Sequence, residues 1–187
     1  MRVRRADVTD ALAIAVVQMT SSRAAYQVLP QDDPDSQDTD RRREVWERIL
    51  AEADWPRSAT LVADNDDGIV GFADLCPTRD QDADPLTVGE ITAIYLLPAV
   101  WGTGVGALLI TESVNALSEA GYRQATLWVL ETNHRARRFY EANGWLADKA
   151  VKQVSYPVFM ELRNHGLMAM GRKFLWRHRR STPMSCV

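Results

Sequence analysis

Three glycines, Gly102, Gly104 and Gly106, stand between a β-rich stretch beginning at Glu90 and an apolar run with helical character. The segment from Glu90 through Leu96, Leu97, Pro98, Val100 and Trp101 to Gly106 reads as a strand, a short loop and the start of a helix. Without a Cβ the backbone turns tightly and brings successive N–H groups against an anion, and the dipole of a following helix favours the same charge. The chemistry that this spacing predicts is the binding of a phosphate-bearing cofactor.

The residues Gly102-Thr103-Gly104-Val105-Gly106-Ala107 formally match G-x-G-x-x-[GA], and Glu131, farther along at the end of an apolar run, imitates the ribose-binding acid of a dinucleotide site. A dinucleotide fold runs from its first strand straight into the first glycine. Here Pro98, Ala99, Val100 and Trp101 intervene, and the strand lies near the middle of the chain. Both features weigh against a nicotinamide or flavin site.

A second block follows: the β-rich run Ala125 to Leu130, then Asn133-His134-Arg135-Ala136-Arg137-Arg138-Phe139-Tyr140-Glu141-Ala142-Asn143-Gly144-Trp145. Asn133 is a good N-cap, Ala136, Phe139 and Tyr140 recur at i, i+3 and i+4, and Gly144 sits where a helix C-cap belongs. Tyr140 is therefore expected on a short helix beside the core. With both blocks in place, the chain resembles the GNAT superfamily of acyl-CoA-dependent N-acyltransferases, in outline over Arg2 to Leu162 and in detail over Val88 to Trp145. The family motif [QR]-x-x-G-x-[GA] falls on Trp101 to Gly106, with Trp101 departing from its first position. An indole cannot make the phosphate contact of Gln or Arg, so backbone N–H groups would carry the pyrophosphate and Trp101 reads as a lid or loop anchor.

The resemblance implies an α/β (α+β) GNAT fold: a central mixed, mostly antiparallel sheet of about six or seven strands, with splayed parallel central strands and about four flanking helices. Pantetheine would enter between those strands and pair with their backbone. It implies transfer of an acetyl group from acetyl-CoA, as cosubstrate, to a primary amine by direct attack in a ternary complex. Glu90 aligns with the family's general base, acting through water, and Tyr140 with its general acid. A backbone N–H near Leu96 or Leu97 would donate to the thioester oxygen. Contacts to the cofactor are expected from Leu96, Leu97, Gly102, Thr103, Gly104, Val105, Gly106, Ala107 and Asn133. Structural readings stand beside these: Tyr140 as a core ring next to Phe139, Glu90 as a solvated strand-start residue, Asn133 as a cap alone, the glycines as turn and cap. The alternative function is a non-catalytic acyl-CoA-binding regulatory module.

The elements that must position these residues can be read around them. Arg2 to Arg5 alternates like a strand, Val8 to Met19 is an apolar helix opened by Asp7, and Asp40 or Thr39 caps a helix through Glu52. Ser58 to Ala63 and Ile69 to Leu75 form a hairpin about Asn65-Asp66-Asp67-Gly68, whose residues suit positive φ. Thr103 to Ala120 is the central helix, closed by Gly121, and strands over Ala147 to Gln153 and Ser155 to Leu162 complete an antiparallel edge.

A chain of 187 residues with 46% hydrophobic residues is expected to form one domain, 1–162, followed by a basic tail, 163–187, read as mobile or docked on an acidic neighbour. The net charge of -3 gives no bias toward nucleic acid. Cys76 and Cys186 have no metal-like spacing and suggest free thiols in a reducing compartment; His134, His165 and His178 are scattered, so no metal site is expected. With no signal-peptide pattern and no spanning run, a cytoplasmic protein without a membrane partner is expected. The acceptor is left as a small-molecule or protein amine, and a homodimer is left open. The acidic loop Gln31 to Asp40 would draw a cationic amine if it bordered the acceptor pocket, or else is a solvated connector.

Overall fold

The computed structural model describes residues 1–25, 38–155 and 168–177. Strands β1 (Arg2–Arg5), β2 (Ala59–Asn65), β3 (Gly68–Pro77), β4 (Val88–Leu96), β5 (Gln124–Leu130), β6 (Leu146–Ser155) and β7 (Met168–Arg177) make one sheet in the order β1-β2-β3-β4-β5-β7-β6. Helices α1 (Ala11–Ala25) and α2 (Thr39–Ala51) cover one face, and α3 (Val105–Glu119) and α4 (His134–Ala142) the other. Consecutive strand residues go to opposite cores: Leu61 and Ala73 lie under α3, Val62 and Phe72 under α1 and α2. A period of two with both faces covered explains why β2 and β3 read as near-continuous apolar runs.

The expected hairpin is present, with Asn65 paired to Gly68, the Asp67 N–H donating to the Asn65 side chain at 2.9 Å, and Gly68 at φ 118°. All neighbouring strands are antiparallel except β4 and β5. That parallel ladder runs only from Val88↔Gln124 to Ile91↔Leu127, although β4 continues to Leu96 and β5 to Leu130. The cause lies next to its last pair. Across β3, Leu75 faces Ile91 but Asp74 faces Ala93, so Thr92 is an extra residue in β4. A bulge bends its strand, and here the bend falls where β4 and β5 part.

Several boundaries differ from the sequence reading. Val8–Asp10 is a 3-10 turn, capped by Asp7, that leads into α1, and α1 continues past Met19 to Ala25. The cap of α2 is Asp38, not Asp40 or Thr39, since its side chain accepts from the N–H groups of Asp40 at 3.0 Å and Arg41 at 3.1 Å. Of the acidic loop Gln31 to Asp40, positions 31–37 lie outside the described residues, as do 156–162 of the strand expected over Ser155 to Leu162.

The largest correction concerns the basic tail. Residues 168–177 of the expected tail 163–187 are not outside the domain; as β7 they pair with β5 on one side and β6 on the other. The segment holds no acid of its own, but acids from the loop after β3 meet it. Buried Lys173 ion-pairs with Asp80 at 3.1 Å and Asp82 at 3.5 Å, and Asp80 also accepts from the indole N–H of Trp128 on β5 at 3.0 Å. Burial is the largest single influence and works against the Lys173 charge, but the hydrogen bonds and charges of Asp80 and Asp82 together outweigh it and hold the ammonium above the usual lysine range. The rest of the expected tail, 163–167 and 178–187, lies outside the described residues.

Candidate functional site

The glycine loop is built in steps. Pro98 opens a 3-10 turn, Pro98–Val100, and Trp101 then anchors the loop by donating its indole N–H to the Leu96 carbonyl at 2.9 Å. Gly102 at φ 79° and Gly104 at φ 92° hold backbone conformations that other L-residues rarely adopt. Between them the Thr103 hydroxyl and N–H both turn to the Val100 carbonyl, at 2.8 and 3.4 Å, so Thr103 shapes the loop. The first intrahelical bond of α3 runs from the Leu108 N–H to the Gly104 carbonyl at 3.0 Å, and no side chain caps this end. The N–H groups of Val105, Gly106 and Ala107 therefore lack an intrahelical acceptor and point out of the helix start, where an anion is favoured.

Strand alternation decides which backbone groups face the opening. The Leu97 N–H donates to the Val70 carbonyl at 2.8 Å, so it belongs to the β3–β4 ladder and is not available to a thioester oxygen. This corrects the expectation for Leu97. In an antiparallel pair the next residue turns its N–H and carbonyl the other way. Leu96 thus looks toward β5, where the ladder has already stopped; its carbonyl accepts from Trp101 and from the Ser21 hydroxyl of α1.

The second block sits against the first. Asn133 caps α4 by accepting from the Ala136 N–H at 3.0 Å. Gly106 has no Cβ because Phe139 lies there: a Cβ would come within 3.2 Å of its ring. Tyr140, buried beside Phe139 (ring centroids 5.3 Å apart) and Trp145 (6.3 Å), joins the same core as Val105 and Leu109. The glycine loop and Tyr140 are thus brought together through one close helix contact. Tyr140 is both the core ring of the structural reading and a neighbour of the helix start.

Glu90 lies on the other face. It alternates with Ile91, which points into the α3 core, and pairs with Cys76 and Thr126 across the sheet. It is buried rather than solvated, at 3% exposure, and Arg79 encloses it: the Arg79 N–H donates at 2.9 Å, Nη2 at 2.9 Å and Nε at 3.4 Å. Burial pushes the Cys76 thiol up to about 12, so it is a poor nucleophile at neutral pH.

Asp74 was not singled out in the sequence. It is half-buried on the face of Glu90 and Cys76, and accepts from the hydroxyls of Thr60 at 2.8 Å and of Thr92, the bulge residue, at 2.6 Å. Burial holds its carboxyl above the usual range despite those two donors. The available signal was an acid inside the apolar run Ile69 to Leu75.

Three comparisons bear on this arrangement. A model of the acetyltransferase (GNAT) family matches residues 23–145. An uncharacterised N-acetyltransferase of Mycobacterium tuberculosis is 37% identical over 90 residues, 48% of this chain and 54% of the relative; the chain thus matches about half the length of that relative. Among solved structures, YncA from Salmonella typhimurium with its cofactor acetyl-CoA superposes with a TM-score of 0.67 at 19% identity, covering 100% of this chain and 99% of the other. The PaiA N-acetyltransferase of Thermoplasma acidophilum, in complex with coenzyme A, gives 0.72 at 16% identity, covering 95% and 98%.

Proposed function

Since the chain belongs to the acetyltransferase (GNAT) family, we propose that it transfers an acetyl group from acetyl-CoA to a primary amine by direct attack in a ternary complex. The observation that carries this reading is the opening between β4 and β5 beyond Ile91 and Leu127, which lies beside the Gly102–Gly106 loop and the start of α3. Pantetheine in the opening would pair with backbone around Leu96, and the pyrophosphate would meet the N–H groups of Val105, Gly106 and Ala107. Asn133, a cap in its own right, would border the same arm.

The neutral amine attacks the thioester carbonyl carbon, the C–N bond forms and the C–S bond breaks. Negative charge on the carbonyl oxygen would be met by the Leu96 N–H. The ammonium proton leaves through water to Glu90, which Arg79 holds in a fixed orientation. Tyr140, from the opposite face, protonates the departing CoA thiolate. Asp74 would bind the amine beside the bulge and share in its deprotonation, a role supported by its raised basicity. The high thiol pKa of Cys76 favours direct attack over an acyl-cysteine intermediate.

The rival, an acyl-CoA-binding module without transfer, draws support from the three Arg79 donors occupying Glu90. A thiol-release screen with acetyl-CoA over small amines and peptide amines separates the two. Release that depends on one acceptor supports transfer; saturable acetyl-CoA binding with no release over any acceptor favours the module. We locate the reaction in a reducing cytosol, in keeping with the free thiol of Cys76. Among the described residues no helix is long and apolar enough to cross a membrane.

A further inference from the structure

The first position of the phosphate loop holds an indole where the family motif has Gln or Arg, yet a guanidinium stands over that indole. The Arg135 guanidinium carbon lies 4.0 Å from the centroid of the Trp101 ring, and Trp101 is itself pinned to the Leu96 carbonyl. We infer that Arg135, shelved on Trp101, supplies the phosphate contact that the loop's own first position lacks. The inference rests on the acyl-CoA reading above and names a further residue of the same site.

Two independent observations point to an anion there. Arg135 is the second residue of α4, after the Asn133 cap and His134, and the first turn holds no acid. A cation at a helix N-terminus opposes the helix dipole and is unfavourable there. Sequences that break a local rule in this way do so most often at functional sites. The side chain is also exposed, and no carboxylate pairs with it among the described residues. Nearby Arg137, by contrast, donates to the Glu131 carbonyl at 3.1 Å and is tied down. Stacking on the ring orients the Arg135 fork without consuming its N–H donors, so they remain for phosphate oxygens. The close packing of Phe139 against Gly106 sets α4, and with it Arg135, against the start of α3.

The test is calorimetric binding to the full chain, using CoA, 3′-dephospho-CoA and pantetheine as probes. Arg135→Ala is expected to raise the Kd for CoA by about tenfold to a hundredfold, as for loss of a charge-assisted hydrogen bond. The Kd for pantetheine, which has no phosphate, should be the same in both proteins. If 3′-dephospho-CoA suffers the same loss as CoA, Arg135 holds the pyrophosphate, as inferred; if it suffers none, Arg135 holds the 3′-phosphate instead and the replacement of the loop contact is overturned. Adding Trp101→Arg to Arg135→Ala, which returns a guanidinium to the loop, should recover much of the CoA affinity. A CoA affinity untouched by Arg135→Ala, or an equal loss for pantetheine, overturns this inference and leaves the proposed function standing. A wild-type chain that binds no CoA overturns both.

Discussion

Alanine at Gly104 and at Gly106 should damage the protein by different mechanisms. A Cβ at position 104 meets nothing within 4 Å, but it would sit on a backbone at φ +92°. That conformation costs an L-residue about 1–2 kcal/mol, and relief requires the loop to turn, misdirecting the N–H groups that begin α3. At position 106 the torsion is ordinary and the space is the problem. A Cβ would lie 3.2 and 3.3 Å from two Phe139 ring carbons, so α4 must yield by a few tenths of an ångström. Overpacking of this kind costs about 1–3 kcal/mol.

For a chain of this size each kcal/mol lowers Tm by about 2–4 °C, so both variants should melt measurably early. The distinction comes from Phe139→Leu. Combined with Gly106→Ala it should recover stability relative to the sum of the single changes, because the two sites touch. Combined with Gly104→Ala it should simply add. Thermal melts with and without saturating CoA report both effects, since bound ligand raises Tm in proportion to ln(1 + [L]/Kd). Gly104→Ala should lose most of that ligand-induced rise. Strict additivity for Gly106→Ala with Phe139→Leu would refute the steric argument, and a full CoA shift in Gly104→Ala would refute the assignment of the loop.

Tyr140→Phe should lower kcat by roughly tenfold to a thousandfold with little change in CoA affinity, measured by steady-state kinetics beside calorimetry; an unchanged kcat returns Tyr140 to a packing role. Arg79→Ala strands buried Glu90 without its counter-charge and should cost about 3 kcal/mol in denaturant unfolding, while adding Glu90→Gln restores most of it. For Asp74 the carboxyl is raised in the folded chain, so the native state holds a proton that the unfolded state releases between the ordinary carboxylate value and the raised one. Stability therefore falls as pH rises through that window, and the loss persists at neutral pH. Asp74→Asn should raise Tm at pH 7, flatten that limb and raise KM for the amine. An unchanged pH profile of Tm would contradict the burial argument.

Much of the frame was legible because it is locally encoded. The Asn65–Gly68 turn, the positive-φ glycines and the Asn133 cap each follow from what a single residue type permits. What the sequence hid depends on partners distant along the chain. Lys173 looked like part of a free basic tail because Asp80 and Asp82, which draw it into the sheet, lie far away in sequence. Nothing local distinguishes Leu96 from Leu97; the choice follows from the register of β4 on β3, which the Thr92 bulge shifts. The same bulge brings Thr92 to Asp74, and the Arg79 loop folds back over Glu90, so the environment of both carboxylates is tertiary. The place of Arg135 over Trp101 likewise needed the packing of α4 on α3.

The measurement that tests the central claim most directly is simultaneous quantification of free thiol and acetylated amine, with acetyl-CoA and the best acceptor from the screen. The account predicts that the two products rise together, one for one, only when enzyme and acceptor are both present, and that intact-mass analysis finds no acetyl group left on the enzyme. Thiol released without acetylated amine, or an acetyl group carried on the enzyme before the acceptor is added, would contradict direct transfer within a ternary complex.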